Sequence, residues 1–141
     1  MPGRQTDTGR VLEDMVIPAL RRGGYAYQKQ VFVGKRPGGG KHYVDIVASK
    51  EDGKPVLISM KWQQTSGTAE QKVPFEIICL LKALRNNDGR YEKAYVVLGG
   101  SGWTLRDFYV GGGLRDYLQD SDLVSVTTLE SFVATANQGK L

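Results

Sequence analysis

The chain has 141 residues, of which 40% are hydrophobic and 24% charged, with a formal net charge of +4 and a pI near 9.2. This composition is typical of a globular protein, and the length predicts one domain over residues 1–141. No uncharged run reaches the ~18 residues of a membrane span, and no apolar signal segment opens the sequence, so we expect a cytoplasmic protein with no membrane contact. The basic balance favours a polyanionic partner without identifying it.

The first half of the sequence predicts one helix and three strands. Apolar residues have helical spacing over "TGRVLEDMVIPALRR", in which Pro18 can kink the helix before Gly23 and Gly24 end it. The runs "YAYQKQVFVG", "KHYVDIVAS" and "PVLISMKWQQ" are strand-like, and the turn signals "KRPGGG" and "KEDG" separate them. They predict an antiparallel meander.

The second half predicts a helix, a buried strand and a short tail. "SGTAEQKVPFEIICLLKALRNNDG" reads as a helix that starts after Ser66 or Thr68 and holds the only cysteine, Cys79, as a packed thiol. "KAYVVLGG" is apolar throughout, as in a central strand. "LVSVTT" and "LESFVATAN" then predict a last strand and helix. The order α-β-β-β-α-β with a tail predicts an α/β fold, a mixed sheet flanked by helices.

Charged residues in two of the predicted strands need a reason. Strand alternation puts Ser59, Lys61 and Gln63 on one face of the third run, and Asp45 faces them from the second run if the register permits. That register requires paired residue numbers that sum to 104 or 106, and therefore an odd number of residues in the hairpin loop. A structural ion pair between Asp45 and Lys61 is the simpler alternative.

These residues resemble a known family. Glu13 on the opening helix, Asp45 on the second strand and Ser59-Met60-Lys61 on the third are similar to the motif of the PD-(D/E)XK nuclease superfamily, whose core has the same element order. The resemblance covers roughly residues 8–100. It implies a restriction-endonuclease-like fold and a Mg²⁺-dependent DNA endonuclease, with Mn²⁺ as a substitute. The restriction, homing and junction-resolving types stay open, and a homodimer is expected because a double-strand cut needs two active sites.

The resemblance also implies roles for individual residues. Asp45 is the expected principal metal ligand, the backbone carbonyl of Met60 a second, and Glu13 a third that binds directly or through water. Lys61 is expected to hold or activate the attacking water and to offset charge at the scissile phosphate. Gln63 either orients water or a phosphate or simply ends its strand.

Two positions depart from the family pattern. Val44 replaces a proline, which has little consequence, and Ser59 replaces the second acidic residue, whose negative charge a serine cannot supply. Ser59 nevertheless stays a candidate site residue. The missing acid can come from the following helix, where Glu70 and Glu76 are candidates and Glu76 is favoured because it lies further inside the helix. If neither acid serves, the chain is an inactive nucleic-acid-binding module, or a structural protein that uses the same fold.

Basic residues around the second strand predict the DNA contacts. The segment "GKRPGGGKH" supplies Lys35, Arg36 and Lys41, and its glycines let backbone N–H groups approach phosphates. His42, the only histidine, is expected to be a surface or DNA-contacting residue rather than a general base. Gln64 completes the predicted contact set. Solvated loop charge is the alternative for all of them.

Overall fold

The computed structural model describes residues 7–141 and contains five helices and five strands, with shorter helical turns between them. The elements are α1 (Asp7–Val11), a π-helical turn (Leu12–Val16), α2 (Ile17–Arg22), β1 (Ala26–Lys35), β2 (Lys41–Ser49), β3 (Val56–Trp62), α3 (Ala69–Arg85), β4 (Ala94–Gly99), α4 (Arg106–Val110), two 3₁₀ turns (Gly113–Asp116 and Ser121–Leu123), β5 (Val124–Thr128) and α5 (Leu129–Asn137). No helix in this part of the chain is long and apolar enough to cross a membrane.

The five strands form one mixed sheet in the order β1-β2-β3-β4-β5. The strands β1, β2 and β3 are antiparallel neighbours, whereas β4 runs parallel to β3 and β5 runs parallel to β4. Every residue of β4 is buried, as its continuous apolar run predicts. The predicted meander, the buried strand and the α/β class are confirmed.

The register of the β2–β3 hairpin agrees with the parity requirement. Ile46 pairs with Ile58 and Ala48 pairs with Val56, so the paired numbers sum to 104. Continuing this register by one residue sets Asp45 opposite Ser59. The even sum predicted from the sequence is confirmed.

Apolar side chains form one core on each face of the sheet. On the first face, α2 and α5 pack on β2, β3 and β4 through the side chains Leu20, Ile46, Ile58, Val97 and Phe132. On the second face, α3 packs on the sheet through Val44, Leu57, Ile77, Leu80 and Val96. Cys79 is a buried free thiol in α3, as expected. Both faces are therefore covered, and a polar site can exist only where the strands separate or end.

The opening helix is interrupted before Pro18. A proline has no N–H to donate to the carbonyl four residues earlier, so a regular α-helical bond cannot form there. The chain adopts the π-helical turn Leu12–Val16 immediately before α2, in which Pro18 occupies the first turn. The helix is thus irregular just before Pro18, and the kink at Pro18 itself stays a prediction.

Candidate active site

The sheet opens into a fork between β2 and β3. The two strands pair only through residues 46–48 and 56–58, although β2 begins at Lys41 and β3 continues to Trp62. Beyond the last pair, the backbone N–H of Met60 donates to Asp45 Oδ2 at 2.7 Å. The carboxylate thus takes the place of a strand carbonyl and lies where the strands separate. The other oxygen, Oδ1, accepts a long hydrogen bond from Gln30 Nε2 at 3.3 Å.

The side-chain alternation of β2 changes phase at Asp45. Ile46 and Ala48 pack in the core on the α2 side, whereas Val44 packs in the core beneath α3. Strict strand alternation would put Val44, Ile46 and Ala48 on one face, and the structure departs from it at Val44. This change turns the end of β2 toward α3 and takes His42 with it.

A buried acid from α3 lies beside the fork. Glu76 Oε1 is 3.2 Å from His42 Nε2, and Glu76 Oε2 is 3.6 Å from Lys61 Nζ. Burial opposes ionisation, but the hydrogen bond with His42 and the positive charge of Lys61 outweigh it, so the pKa of Glu76 lies below its usual value. Because an ionised carboxylate can only accept, Nε2 of His42 must carry the proton.

Asp45 has the opposite electrostatic behaviour. Burial raises the pKa of Asp45 above its usual value, and the hydrogen bond from Met60 and the charge of Lys61 offset this only in part. The negative charge of Glu76 acts in the same direction as burial. Two carboxylates that repel each other favour the binding of a cation near both of them.

The donor set suits a small hard cation. Mg²⁺ prefers oxygen ligands, keeps several waters and commonly takes only one or two carboxylates from the protein. Asp45 and Glu76 supply two carboxylates, and the backbone carbonyl of Met60 lies on the same fork. Within residues 7–141, no three His, Cys, Asp or Glu side chains are grouped closely enough to form a complete protein cage. The residues present therefore fit an ion that keeps part of its water shell.

Sequence comparison decides the family. The profile of the PD-(D/E)XK nuclease superfamily domain matches residues 4–140, nearly the whole chain. The chain belongs to the PD-(D/E)XK nuclease superfamily. Comparison with curated protein sequences gives no significant match.

Two solved structures align with this superfamily member. A crystal structure of the protein of unknown function AF1548 aligns with a TM-score of 0.50 at 14% sequence identity, over 80% of this chain. The small subunit of the heterodimeric restriction endonuclease R.BspD6I aligns with a TM-score of 0.42 at 18% identity, over 84% of this chain. The chain spans 54% and 61% of these two proteins, respectively.

Glu70, the rival acid of this PD-(D/E)XK domain, lies elsewhere. Its carboxylate accepts hydrogen bonds from the backbone N–H groups of Thr104 and Leu105 and from the Thr104 hydroxyl. Its backbone carbonyl accepts from the Tyr109 hydroxyl at 2.7 Å. The hydrogen bonds from Thr104 and Leu105 lower the pKa of Glu70. Glu70 therefore holds the segment around α4 and has no contact with Lys61 or His42.

Glu13 also lies outside the cluster at the fork. It forms an exposed ion pair with Lys29 on β1, and within residues 7–141 it is not grouped closely enough with Asp45 and Glu76 for the three carboxylates to hold one ion. The structure thus does not bring Glu13, the predicted third metal ligand, together with Asp45 and Glu76. The π turn that contains Glu13 could not be foreseen from the helical spacing of the apolar residues.

Ser59 and Gln63 are both buried on β3 or just beyond its end. Gln63 Nε2 donates to the backbone carbonyl of Gly102 at 2.7 Å, and its Oε1 is buried without a partner. The side-chain amide therefore holds the glycine-rich loop that follows β4. Trp62 packs against the α2-side core, and Trp103 Nε1 donates to the carbonyl of Gly99, which fastens the same loop.

The predicted DNA-contacting residues separate into two groups. Lys35, Lys41 and Gln64 are exposed, and Arg36 is half-buried. His42 is only 1% exposed, so the prediction that it lies on the surface and contacts DNA is wrong. The two-residue burial pattern of β2 extends to its start and buries His42 together with Val44, whereas the prediction treated His42 as part of the basic segment before the strand.

Proposed function

We propose that this chain is a metal-dependent DNA endonuclease that hydrolyses phosphodiester bonds. The observation that carries the proposal is the convergence of Asp45, Glu76 and Lys61 at the fork between β2 and β3. Membership of the nuclease superfamily supports the reaction class. One nuclease-like domain over residues 1–141 stays a prediction, as do the three types considered, restriction, homing and junction-resolving.

The carboxylates are proposed to hold the metal. Asp45 and Glu76, with the Met60 carbonyl, would bind Mg²⁺, or Mn²⁺ in its place. When bound, such an ion stabilises negative charge on phosphoryl oxygens and lowers the pKa of its water. Glu76 supplies the second carboxylate, which Ser59 cannot provide. The lowered pKa of Glu76 favours its ionised form.

Lys61 and His42 are proposed to act on the two oxygens of Glu76. His42 is buried and holds Oε1, so the carboxylate cannot rotate freely. Lys61 lies at Oε2, and a quarter of its side chain is exposed, so its ammonium group can also reach a phosphate or a water in the cleft. A cation at this position offsets charge that develops on the phosphate during hydrolysis.

DNA is the proposed substrate, and a homodimer is the proposed assembly. Each chain supplies one cluster of Asp45, Glu76 and Lys61, so two copies are needed to cut both strands of a duplex. The exposed Lys35 and Lys41 support contact with phosphates. The alternative is an inactive nucleic-acid-binding module. Ser59 supports this alternative because it stands on β3 where the family pattern has an acidic residue.

Cleavage assays distinguish these two functions. Purified protein is incubated with supercoiled plasmid, branched DNA and single-stranded DNA in the presence of Mg²⁺, Mn²⁺ or EDTA. We expect cleavage with either metal and none with EDTA. Lys61→Ala should reduce cleavage by about a hundredfold or more while DNA binding persists. As a control, Lys54→Ala removes an exposed lysine from the hairpin at the opposite end of β3. This variant should cleave DNA at the rate of the wild type.

The opposite results have clear meanings. DNA binding without cleavage under every metal condition would identify the inactive module. Equal cleavage by the wild type and a folded Lys61→Ala variant would show that Lys61 is a structural charge only.

A further inference from the structure

The end of the β1–β2 hairpin is a two-stranded ribbon, here defined as residues 31–44. Its inner face is fastened to α3, because Val33 and Val44 pack in the α3-side core and Asn87 Nδ2 donates to the Val33 carbonyl at 3.2 Å. Lys82 Nζ adds a long hydrogen bond to the Arg36 carbonyl at 3.4 Å. These contacts fix the backbone of the ribbon, and its outer face is left exposed.

Two aromatic rings lie side by side on that outer face. Phe32 and Tyr43 are cross-strand partners, their ring centroids are 5.5 Å apart, and the rings are tilted by 56°. Phe32 is 50% exposed and Tyr43 is 47% exposed. About half of each side chain is thus in contact with water. The adjacent residues Val33 and Val44 are buried in the α3-side core.

Two lysines follow the aromatic pair along the same face. A β-bulge between Phe32 and Gly34 adds one residue to β1, so Val33 and Gly34 both precede the next outward position and Lys35 pairs with Lys41. Like charges directly opposite each other on a sheet are unfavourable. Within residues 7–141 no carboxylate forms an ion pair with Lys35 or Lys41, so this pair lacks an anion.

The acidic residue nearest along the ribbon is Asp45. It is the only acid between Ala26 and Ser49, a range that holds four lysines and arginines. Tyr43 lies two residues from Asp45, or about 6.6 Å along the strand. The aromatic pair therefore lies between a pair of unmatched cations and the proposed metal ligand.

We propose that Phe32 and Tyr43 form a stacking platform for unpaired bases of DNA, with Lys35 and Lys41 binding the adjacent phosphates. Aromatic rings beside a basic track are how proteins bind single strands without reading their sequence. The inference rests on the proposed function in that DNA is the polyanion. It adds that the chain prefers DNA with unstacked bases, such as single strands, branches or frayed ends, over an intact duplex.

Binding without cleavage tests the platform. Fluorescence anisotropy of a labelled oligothymidylate and of a labelled duplex of equal length is measured with the full chain in EDTA. Phe32→Leu and Tyr43→Leu keep apolar volume but remove the aromatic face, and each should weaken single-strand binding about five- to a hundredfold, with a smaller loss on the duplex. Phe32→Tyr and Tyr43→Phe should bind like the wild type.

Two sets of controls sharpen the result. Phe75→Leu removes a 45%-exposed aromatic ring from α3 and should change neither affinity. Lys35→Ala and Lys41→Ala should each reduce the salt dependence of single-strand binding by about 0.7 in the log–log slope.

The outcomes also separate this inference from the proposed function. Unchanged single-strand affinity in both leucine variants overturns the platform, and so does an equal loss on duplex and single strand. If sedimentation shows that Phe32→Leu dissociates a dimer while single-strand affinity stays unchanged, the surface binds a second copy and the platform is likewise overturned. The leucine variants can lose single-strand affinity while the wild type fails to cut DNA with Mg²⁺ or Mn²⁺. That result would support the platform and contradict the proposed endonuclease activity.

Discussion

Glu70 and Glu76 are six residues apart on the same helix and have different partners. Glu70 accepts three hydrogen bonds from Thr104 and Leu105 in the segment that leads into α4. Glu76 instead contacts two cationic or proton-bearing side chains, Lys61 and His42, at the fork in the sheet. Six residues correspond to roughly 240° around a helix, so one acid faces the loop and the other faces the strands.

The difference shows how burial of an acid can have two purposes. Both side chains are buried, and both pKa values are lowered. The pKa of Glu70 is lowered by hydrogen bonds from Thr104 and Leu105, which occupy both of its carboxylate oxygens. For Glu76 the favourable partners are two side chains, the buried imidazole of His42 and the partly exposed ammonium group of Lys61. A low pKa alone therefore does not distinguish the two acids, and the proposed catalytic role of Glu76 rests on its partners Lys61 and His42.

Neutralising each acid in turn should give the largest contrast. Glu76→Gln keeps the shape and a hydrogen bond for His42 but removes the negative charge, so Mg²⁺-dependent cleavage should fall by about a hundredfold or more. Glu70→Gln should retain most of its cleavage activity. Plasmid nicking rates at saturating Mg²⁺ measure both. A larger loss in Glu70→Gln than in Glu76→Gln would reverse the assignment.

Removing the support of Glu76 should have an intermediate effect. His42→Leu leaves Oε1 without its donor, and loss of a group that orients a metal ligand typically costs about 10- to 100-fold in metal affinity. Titration calorimetry with Mn²⁺ measures that affinity directly. His42→Gln, whose amide can still donate, serves as the matched control and should bind Mn²⁺ more tightly than His42→Leu. Equal affinities for the two variants would mean that His42 only fills space.

Stability should respond in the opposite order. Glu70→Gln weakens the acceptors of three hydrogen bonds from residues 104 and 105, so its melting temperature should be lower than that of Glu76→Gln. Removing the charge of Glu76 relieves the cost of burying it, which offsets part of the loss of the ion pair with Lys61. Differential scanning calorimetry in EDTA compares the two variants. A lower melting temperature for Glu76→Gln would show that the fork, rather than the α4 segment, limits stability.

The smallest expected effect is a pH dependence of the Glu70 contribution. The folded-state pKa of Glu70 is lowered, so its stabilisation is present above the unfolded pKa of about 4.3 and is lost as the pH falls through the folded value. The difference in melting temperature between the wild type and Glu70→Gln should therefore be constant from about pH 8 to pH 5 and shrink in more acidic solution. A difference that grows on acidification would contradict the lowered pKa.

Local chemistry explains why much of the fold was predictable from the sequence. The strand runs, the turn signals and the apolar run of β4 depend on neighbours close in sequence, and they appear in the predicted order. The β2–β3 register follows from the two-residue period of strands, which requires an even sum and is met at 104. The parity that lets Asp45 and Lys61 lie on one face could therefore be derived from their positions alone, and their shared catalytic site stays a prediction.

Tertiary structure decided the rest. His42 faces α3 because β2 changes phase where the sheet forks, and Glu13 lies in a π turn and pairs with Lys29 on β1. The choice between Glu70 and Glu76 depends on how α3 is rotated against the sheet and on a loop more than 30 residues further along the chain. The sequence by itself determined which elements form and which residue types can perform the chemistry, because those properties are local. Which side chains meet depended on strand divergence and helix rotation, because both are set by packing between segments far apart in the chain.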